Sequence, residues 1–356
     1  MLSQDSTLVI KPSPFYSQKC VLKLIMLKAG SDSNDPFEIL KTTKDVLQKA
    51  KSIELLPSKI NKISELVGEK LESNFDENEY GLGLTGDYET DVQLLVVEDT
   101  VNFCFWAEKN ADKWKVEWPK GNVVLGGWYG LLAVFKRALA ENLPILEAEF
   151  LANLTLKEVK NIFRSVNKTE IPLLQNRLNN LIETGEVLLK NFDGKFINLV
   201  EEAGFDGIEI VKLVYDSFPS FRDEAEYNGE KVYFLKRAQI LANDLSYITK
   251  NGKRIEIKNL DKLTAFADYK IPQMLRHFGV VKYSKELAEK VDNYEIIPAL
   301  SSEEIEIRAA MIQGVDLIKQ NLKKYTASQI DNALWLLSQD QSGVEKPYHR
   351  TYTIYY

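Results

Sequence analysis

At 356 residues, 45% hydrophobic and 27% charged, the chain is long enough for one sizeable domain or two and has the make-up of an ordinary soluble globular protein. Its 45 Lys and Arg against 52 Asp and Glu give a net charge of −7. This argues against a general polyanion binder but leaves room for a small phosphorylated ligand held by a local cluster of cations. Cys20 and Cys104 form neither a metal-ligand pattern nor a disulfide framework, and with only His277 and His349 a His-rich zinc site or a His-based triad has little to build on. No apolar run reaches the length of a membrane span. The short run 21–27 carries Lys23 and follows a Pro/Ser/Lys-rich start, so it does not read as a signal peptide, and the expected compartment is the cytoplasm.

Residues 1–35 read as an N-terminal extension that wraps or flanks the rest, closed by the polar run 31–35. Pro36 and Pro57 are well placed to open helices over 37–52 and 57–74. The acidic stretch 76–87 is a loop whose glycines lack the lysine of a phosphate loop. Two β-like runs follow, 92–97 and 101–106, with Glu98-Asp99-Thr100 as the turn between them. Helical periods then cover 128–142, 147–153, 156–163, 171–192, 196–203 and 208–218, and Thr155 with Glu158 makes a capping box. A β-like excursion at 227–234, with Asn228-Gly229 near its start, precedes a helix over 236–248. A long amphipathic helix over 303–325 and another over 328–338 lead to a terminal KPYHRTYTIYY too aromatic for a frayed tail. With no internal repeat or low-complexity linker, one mainly helical domain over 36–356 with a few short strands is the simplest division.

The stretch 263–284, LTAFADYKIPQMLRHFGVVKYS, organises the reading. Leu263, Phe266, Ile271, Leu275 and Phe278 follow a helical period with Asp268 inside it, where packing would half-bury and poise a carboxylate. Pro272 is expected to break or kink that helix, Gly279 to stop it, and Ser284 to cap the next. A lone Asp at helical spacing also reads as a merely solvated carboxylate. Two aromatic clusters are available to stack on a heterocycle or to fill the core: Phe103, Phe105 and Trp106, and Trp128-Tyr129 after Gly126-Gly127. Cationic candidates are Arg222, Lys236-Arg237, Arg308 and His349-Arg350. Lys236 and Arg237 stand at a strand-to-helix junction, where backbone N–H groups also attract an anion. Asp223, Asp244, Asp261, Asp268, Glu304 and Glu306 are each conceivable carboxylates, and pattern alone does not choose among them.

Several motifs in one order carry a family resemblance. They are NFCFW at 102–106, GWYGLLAVFKRALAENLPI at 127–145, LVEEAGFDGIEIVKLV at 199–214 and SFPSFRDEAEYNGEKVYFLKRAQILANDL at 217–245, then FADYKIPQMLRHFGVVKYS at 266–284, EIEIRAA at 304–310 and the terminal PYHRTYTIYY. Together they resemble the queuosine salvage proteins, over roughly residues 36–356. The resemblance implies a fold akin to helix-hairpin-helix DNA glycosylases that serves a free nucleotide, releasing the 7-deazaguanine queuine from queuosine 5′-monophosphate for reuse in tRNA modification. The lysine and aspartate of the family's catalytic pair map onto Lys236 and Asp268. Lys270 stands where family members often carry arginine, which keeps the charge and loses the fork geometry.

On that reading Asp268 stabilises the sugar cation and positions the water, and Lys236 serves the leaving base or the 5′-phosphate. Phe103, Trp106 and Trp128 would sandwich the base, and Asp223 or Asp261 would meet the amine of the cyclopentenediol arm. Arg222, Arg237, Tyr283, His349, Arg350 and Tyr355 complete the substrate-binding candidates. No metal or organic cofactor is called for, and neither a stable nucleic-acid complex nor a membrane is expected as a partner. The rival readings are a non-catalytic queuine- or nucleotide-binding protein, a DNA glycosylase relative, which the net charge opposes, and a general purine nucleosidase, whose usual aspartate-rich metal site is not apparent.

Overall fold

The computed structural model describes residues 32–73, 82–119, 121, 123–339 and 346–356. The chain folds as a mainly helical assembly whose short strands pair two by two. Residues 1–31 of the expected extension, and residues 74–81 at the expected acidic loop, lie outside the described residues.

The helix Ser302–Asn321 is an axis of the structure. Its N-cap Ser301 accepts from the Glu304 N–H at 3.3 Å. The sequence reads there as amphipathic, but most of the helix is buried, Glu304, Glu306 and Arg308 included. It packs against the helices Ile39–Lys49, Ile60–Glu72, Lys270–His277 and Ala327–Gln339. A helix enclosed in this way needs no polar stripe; Arg308 is paired with Asp223, and Glu306 accepts from the Lys51 and Ser52 N–H groups and the Tyr227 hydroxyl. The strand Ile53–Leu55 pairs antiparallel with Val281–Tyr283, which ties the first helices to the stretch carrying Asp268.

A second packing centre is the helix Tyr88–Thr100, and here the sequence reading is corrected. The run expected as a strand over 92–97, and the turn at 98–100, are both helix. Asp87 caps it by accepting from the Thr90 N–H at 3.0 Å. Every residue from Asp91 to Thr100 is buried, so no hydrophobic period marks it, and its valines imitate a strand. Around it lie the helices Trp128–Ala140, Leu174–Asn191, Phe196–Glu202 and Lys236–Asp244. The second expected run, 101–106, is irregular, with Cys104 left-handed at φ 47°, and pairs with no strand among the described residues; Arg177 holds it through the carbonyls of Val101, Phe103 and Cys104.

Most other helices fall within a few residues of the expected ends, including the capping box at Thr155. At Gly185, on helix Leu174–Asn191, an added Cβ would lie 2.3 Å from the Ala152 nitrogen, so only glycine lets helix Ala148–Ala152 approach so closely. The β-like excursion is a hairpin of Glu224–Tyr227 and Glu230–Tyr233, with Asn228 at φ 52° and Gly229 at φ 85° in its two-residue turn. The C-terminal tail is anchored: the Cys104 N–H donates to the Tyr356 carbonyl at 2.8 Å and the Ile297 N–H to the Arg350 carbonyl at 2.8 Å.

Candidate active site

Asp223, at the entrance to the hairpin, organises the hairpin's exit. Its main-chain carbonyl accepts from Phe234 N–H at 3.0 Å and Leu235 N–H at 3.1 Å. Leu235 is left-handed at φ 52°, a strained turn that the hydrogen bonds on both sides enforce. The Asp223 Oδ2 then accepts the Lys236 N–H at 3.0 Å, so a carboxylate satisfies the first donor of helix Lys236–Asp244. The Lys236 ammonium donates to the Asn102 carbonyl at 3.3 Å.

Asp268 is placed differently from the sequence expectation. Residues 263–269 are not helical, and the helix begins at Lys270, with Pro272 in its first turn rather than at a kink. Asp268 caps that helix: its Oδ1 accepts from Lys270 N–H at 2.9 Å and Ile271 N–H at 3.0 Å. The approach to it is clamped, because Gln239 Oε1 accepts the Thr264 N–H at 2.9 Å and Asp331 Oδ2 accepts the Phe266 N–H at 2.9 Å. Gly279 ends the helix at φ 71°, and Ser284 caps the next through the Leu287 N–H at 3.2 Å.

These segments meet at a cavity of about 650 Å³, a size suited to a nucleotide-sized ligand. Lys236, Asp268 and Asp331 supply its central charges, and Lys113 and Lys270 add two cations to the wall. Aromatic rings line much of the rest: Phe103 and Phe105, Trp128 and Tyr129, Phe266 and Tyr269, Trp335, Tyr348 and Tyr356. Tyr129 and Trp335 stand 5.7 Å apart and tilted, as do Tyr269 and Tyr348 at 5.0 Å. Gly126 lets the Trp128 segment pass the Trp114 carbonyl, which an added Cβ would meet at 2.1 Å.

The charges are mutually tuned. Burial raises the Asp268 carboxyl, opposed by the Ile271 and Lys270 N–H groups and by the Lys236 and Lys270 cations. Asp331 is raised further, by burial and then by the charge of Asp268. Burial lowers the Lys236 ammonium, while Asp99, Asp268 and Asp331 support it. Displaced ionisation in a cleft marks groups poised for proton chemistry.

Of the residues singled out in the sequence, Asp268, Lys236, Phe103 and Trp128 line this cavity, as do Phe105, Tyr129 and Lys270. The others sit elsewhere. Trp106 is buried against Tyr352, with ring centroids 4.5 Å apart. Asp223 is paired with Arg308 behind the wall. Arg237 is buried and donates to the carbonyls of Asp99, Thr100 and Ser220. Arg222 donates to the Tyr215 and Asp216 carbonyls. Asp261 is exposed in a short 3-10 turn. Tyr283 lies in the strand pair under the Arg276 guanidinium. His349 is buried with Nε2 3.2 Å from the Tyr356 hydroxyl, and Arg350 donates to the Ala107 carbonyl at 3.1 Å. Tyr355 is half-buried beside the Asp223 and Arg237 charges, whereas its neighbour Tyr356 reaches the cavity.

Sequence reasoning passed over Asp331, Asn332 and Trp335 on helix Ala327–Gln339, as well as Lys113 and Tyr348. Asp331 and Asn332 interrupt the apolar run Ile330, Ala333 and Leu334, and Trp335 follows one turn after Asp331. That interruption is the one signal available for them.

A family profile described as Queuosine salvage protein matches residues 84–356. A Sphaerobacter thermophilus protein named queuosine 5′-phosphate N-glycosylase/hydrolase is 38% identical over 330 residues, 92% of this chain and 100% of its own length. Proteins of the same name from Mus musculus and Bos taurus are 36% and 35% identical over 72% and 76% of this chain, and 80% and 83% of theirs.

Proposed function

The chain belongs to the queuosine salvage protein family, and we propose that it hydrolyses the N-glycosidic bond of queuosine 5′-phosphate, freeing queuine for reuse in tRNA modification. The observation that supports the residue assignment is that Asp268 and Lys236 both line one aromatic-walled cavity, each supporting the charged form of the other.

Glycosidic cleavage builds positive charge on the sugar while electrons move to the base. Asp268 is suited to the sugar side. Two backbone N–H groups fix its Oδ1, and among the described residues its Oδ2 makes no hydrogen bond, leaving that atom for the sugar cation and the attacking water. A 7-deazapurine has no N7 to protonate, so a cation must meet the charge that develops elsewhere on the ring, and Lys236 is assigned that task. The flat base lies among the rings of Phe103, Trp128 and Trp335, with Asp331 available to the N–H donors of its guanine-like edge.

In this reading residues 36–356 form one domain, cytosolic in location, with a helical scaffold akin to helix-hairpin-helix glycosylases but adapted to a free nucleotide. The net charge of −7 favours a small substrate over duplex DNA. The test is direct: the purified chain is incubated with queuosine 5′-monophosphate, and with guanosine 5′-monophosphate as control, and free base is followed by chromatography with mass detection. Release of queuine from the first alone is expected. Tight binding without release would make the protein a binding relative.

A further inference from the structure

Three carboxylates stand behind Lys236 without lining the cavity: Glu98 and Asp99 on helix Tyr88–Thr100, and Asp244 at the far end of the helix that Lys236 opens. They are 1%, 0% and 0% exposed. Among the described residues each keeps one oxygen with no hydrogen-bond partner: Glu98 Oε2, Asp99 Oδ2 and Asp244 Oδ2. A bare carboxylate oxygen sealed from water is strongly unfavourable unless a proton or a nearby cation compensates.

A short relay ties Asp99 to the lysine. Its Oδ1 accepts from Asn102 Nδ2 at 3.1 Å, and the Asn102 carbonyl accepts from Lys236 Nζ at 3.3 Å. Arg237 adds a bond to the Asp99 carbonyl at 3.1 Å, and its cation also faces the Asp99 carboxylate. Asp244 Oδ1 accepts from Asn243 Nδ2 at 3.1 Å. The charge of Asp99 favours the Lys236 ammonium and opposes ionisation of Asp244, while burial and both aspartates oppose ionisation of Glu98 and Lys136 favours it. Neighbouring carboxylates in a dry interior do not both ionise.

We infer that Asp99 is a positioning residue that keeps Lys236 protonated and drawn against the Asn102 carbonyl, and that Asp244, sealed from water and hydrogen-bonded to no cation among the described residues, holds a proton behind the active site. The proton resides on Asp244 and the charge on Asp99, next to the lysine. The inference rests on the reading of Lys236 as the cation that serves the leaving base, a role that requires an ammonium in a site whose burial opposes one.

The test compares wild type and Asp99→Asn in the pH dependence of kcat and KM for queuosine 5′-monophosphate hydrolysis, with thermal unfolding run alongside. The variant is expected to lose kcat on the order of tenfold near neutral pH, to keep KM within about threefold, and to move the alkaline limb down by about one pH unit or more. A loss of the same factor at every pH, with the limb in place, would mean that Asp99 only supports the fold and would overturn the inference. Infrared spectra test the protonation of Asp244 without turnover. Wild type is expected to show protonated-carboxyl stretching intensity at neutral pH of which one component is lost in Asp244→Asn, and a spectrum unchanged by that substitution would overturn that part of the inference. If wild type releases no base, the assignment of Lys236 fails, and the infrared comparison still decides whether Asp244 holds a proton.

Discussion

Asp223 and Arg308, 85 positions apart in the chain, meet as a buried two-pronged ion pair: Nη1 lies 2.8 Å from Oδ1 and Nη2 2.6 Å from Oδ2. The same Asp223 Oδ2 accepts the Lys236 N–H, so one carboxylate joins the axial helix to the start of the helix that bears the candidate catalytic lysine. Glu304, one turn before Arg308, adds a third charge at 3.7 Å. Removing one partner of such a pair strands the other charge in the interior. Asp223→Asn is therefore expected to destabilise the fold by about 3 kcal/mol or more in urea unfolding, with loss of activity.

Arg177 is an internal clamp. Its guanidinium is fully buried, donates to the carbonyls of Val101, Phe103 and Cys104, and lies 4.4 Å from the Phe103 ring centroid. It holds the segment that brings Asn102 and Phe103 to the cavity, including Cys104 at φ 47°. Lysine keeps the charge but has no fork, so Arg177→Lys is expected to cost about 2 kcal/mol or more of stability and to weaken nucleotide binding, read by urea unfolding and calorimetry.

His349 sets an acid limit. Burial, reinforced by the Arg308 and Arg350 cations, pushes its imidazole down to about 3. Its ordinary value is about 6.5, so between these limits the unfolded chain binds a proton that the folded chain refuses, and stability falls as pH falls. Glutamine at this position removes that loss. Relative to wild type, His349→Gln is expected to gain about 2 kcal/mol between pH 7 and pH 5 in urea unfolding. Comparison at each pH cancels the contributions of Asp268 and Asp331, which run in the opposite direction.

Trp335 presents its ring to the cavity beside Tyr129. If it stacks on the base, Trp335→Ala should weaken nucleotide binding by about 1–3 kcal/mol, seen as a raised KM with a smaller effect on kcat. A kcat loss with unchanged KM would place the base elsewhere.

Local punctuation was legible in the sequence: the capping box at Thr155, the stop at Gly279, the cap at Ser284, and the strand-to-helix junction at Lys236. Each is written in residues a few positions apart. The helix Tyr88–Thr100 was not legible, because burial on every side removes the period that marks a helix. Asp268 was read inside a helix because apolar positions on both sides of Pro272 share a spacing, whereas its hydrogen bonds make it a cap. The cavity draws Asp331 and Trp335 from one helix and Tyr356 from the chain end, and no short-range pattern announces that meeting. Arg237 and Asp223 looked like site charges because both are charged residues beside Lys236 or its hairpin. The structure spends them on carbonyls and on Arg308, behind the wall.

The most direct measurement is single-turnover base release by Asp268→Asn beside wild type, with nucleotide affinity determined for both by calorimetry. The account predicts a variant that folds, binds queuosine 5′-monophosphate, and releases queuine on the order of a hundredfold or more slowly. Release at the wild-type rate would contradict the assignment of Asp268 and with it the proposed mechanism.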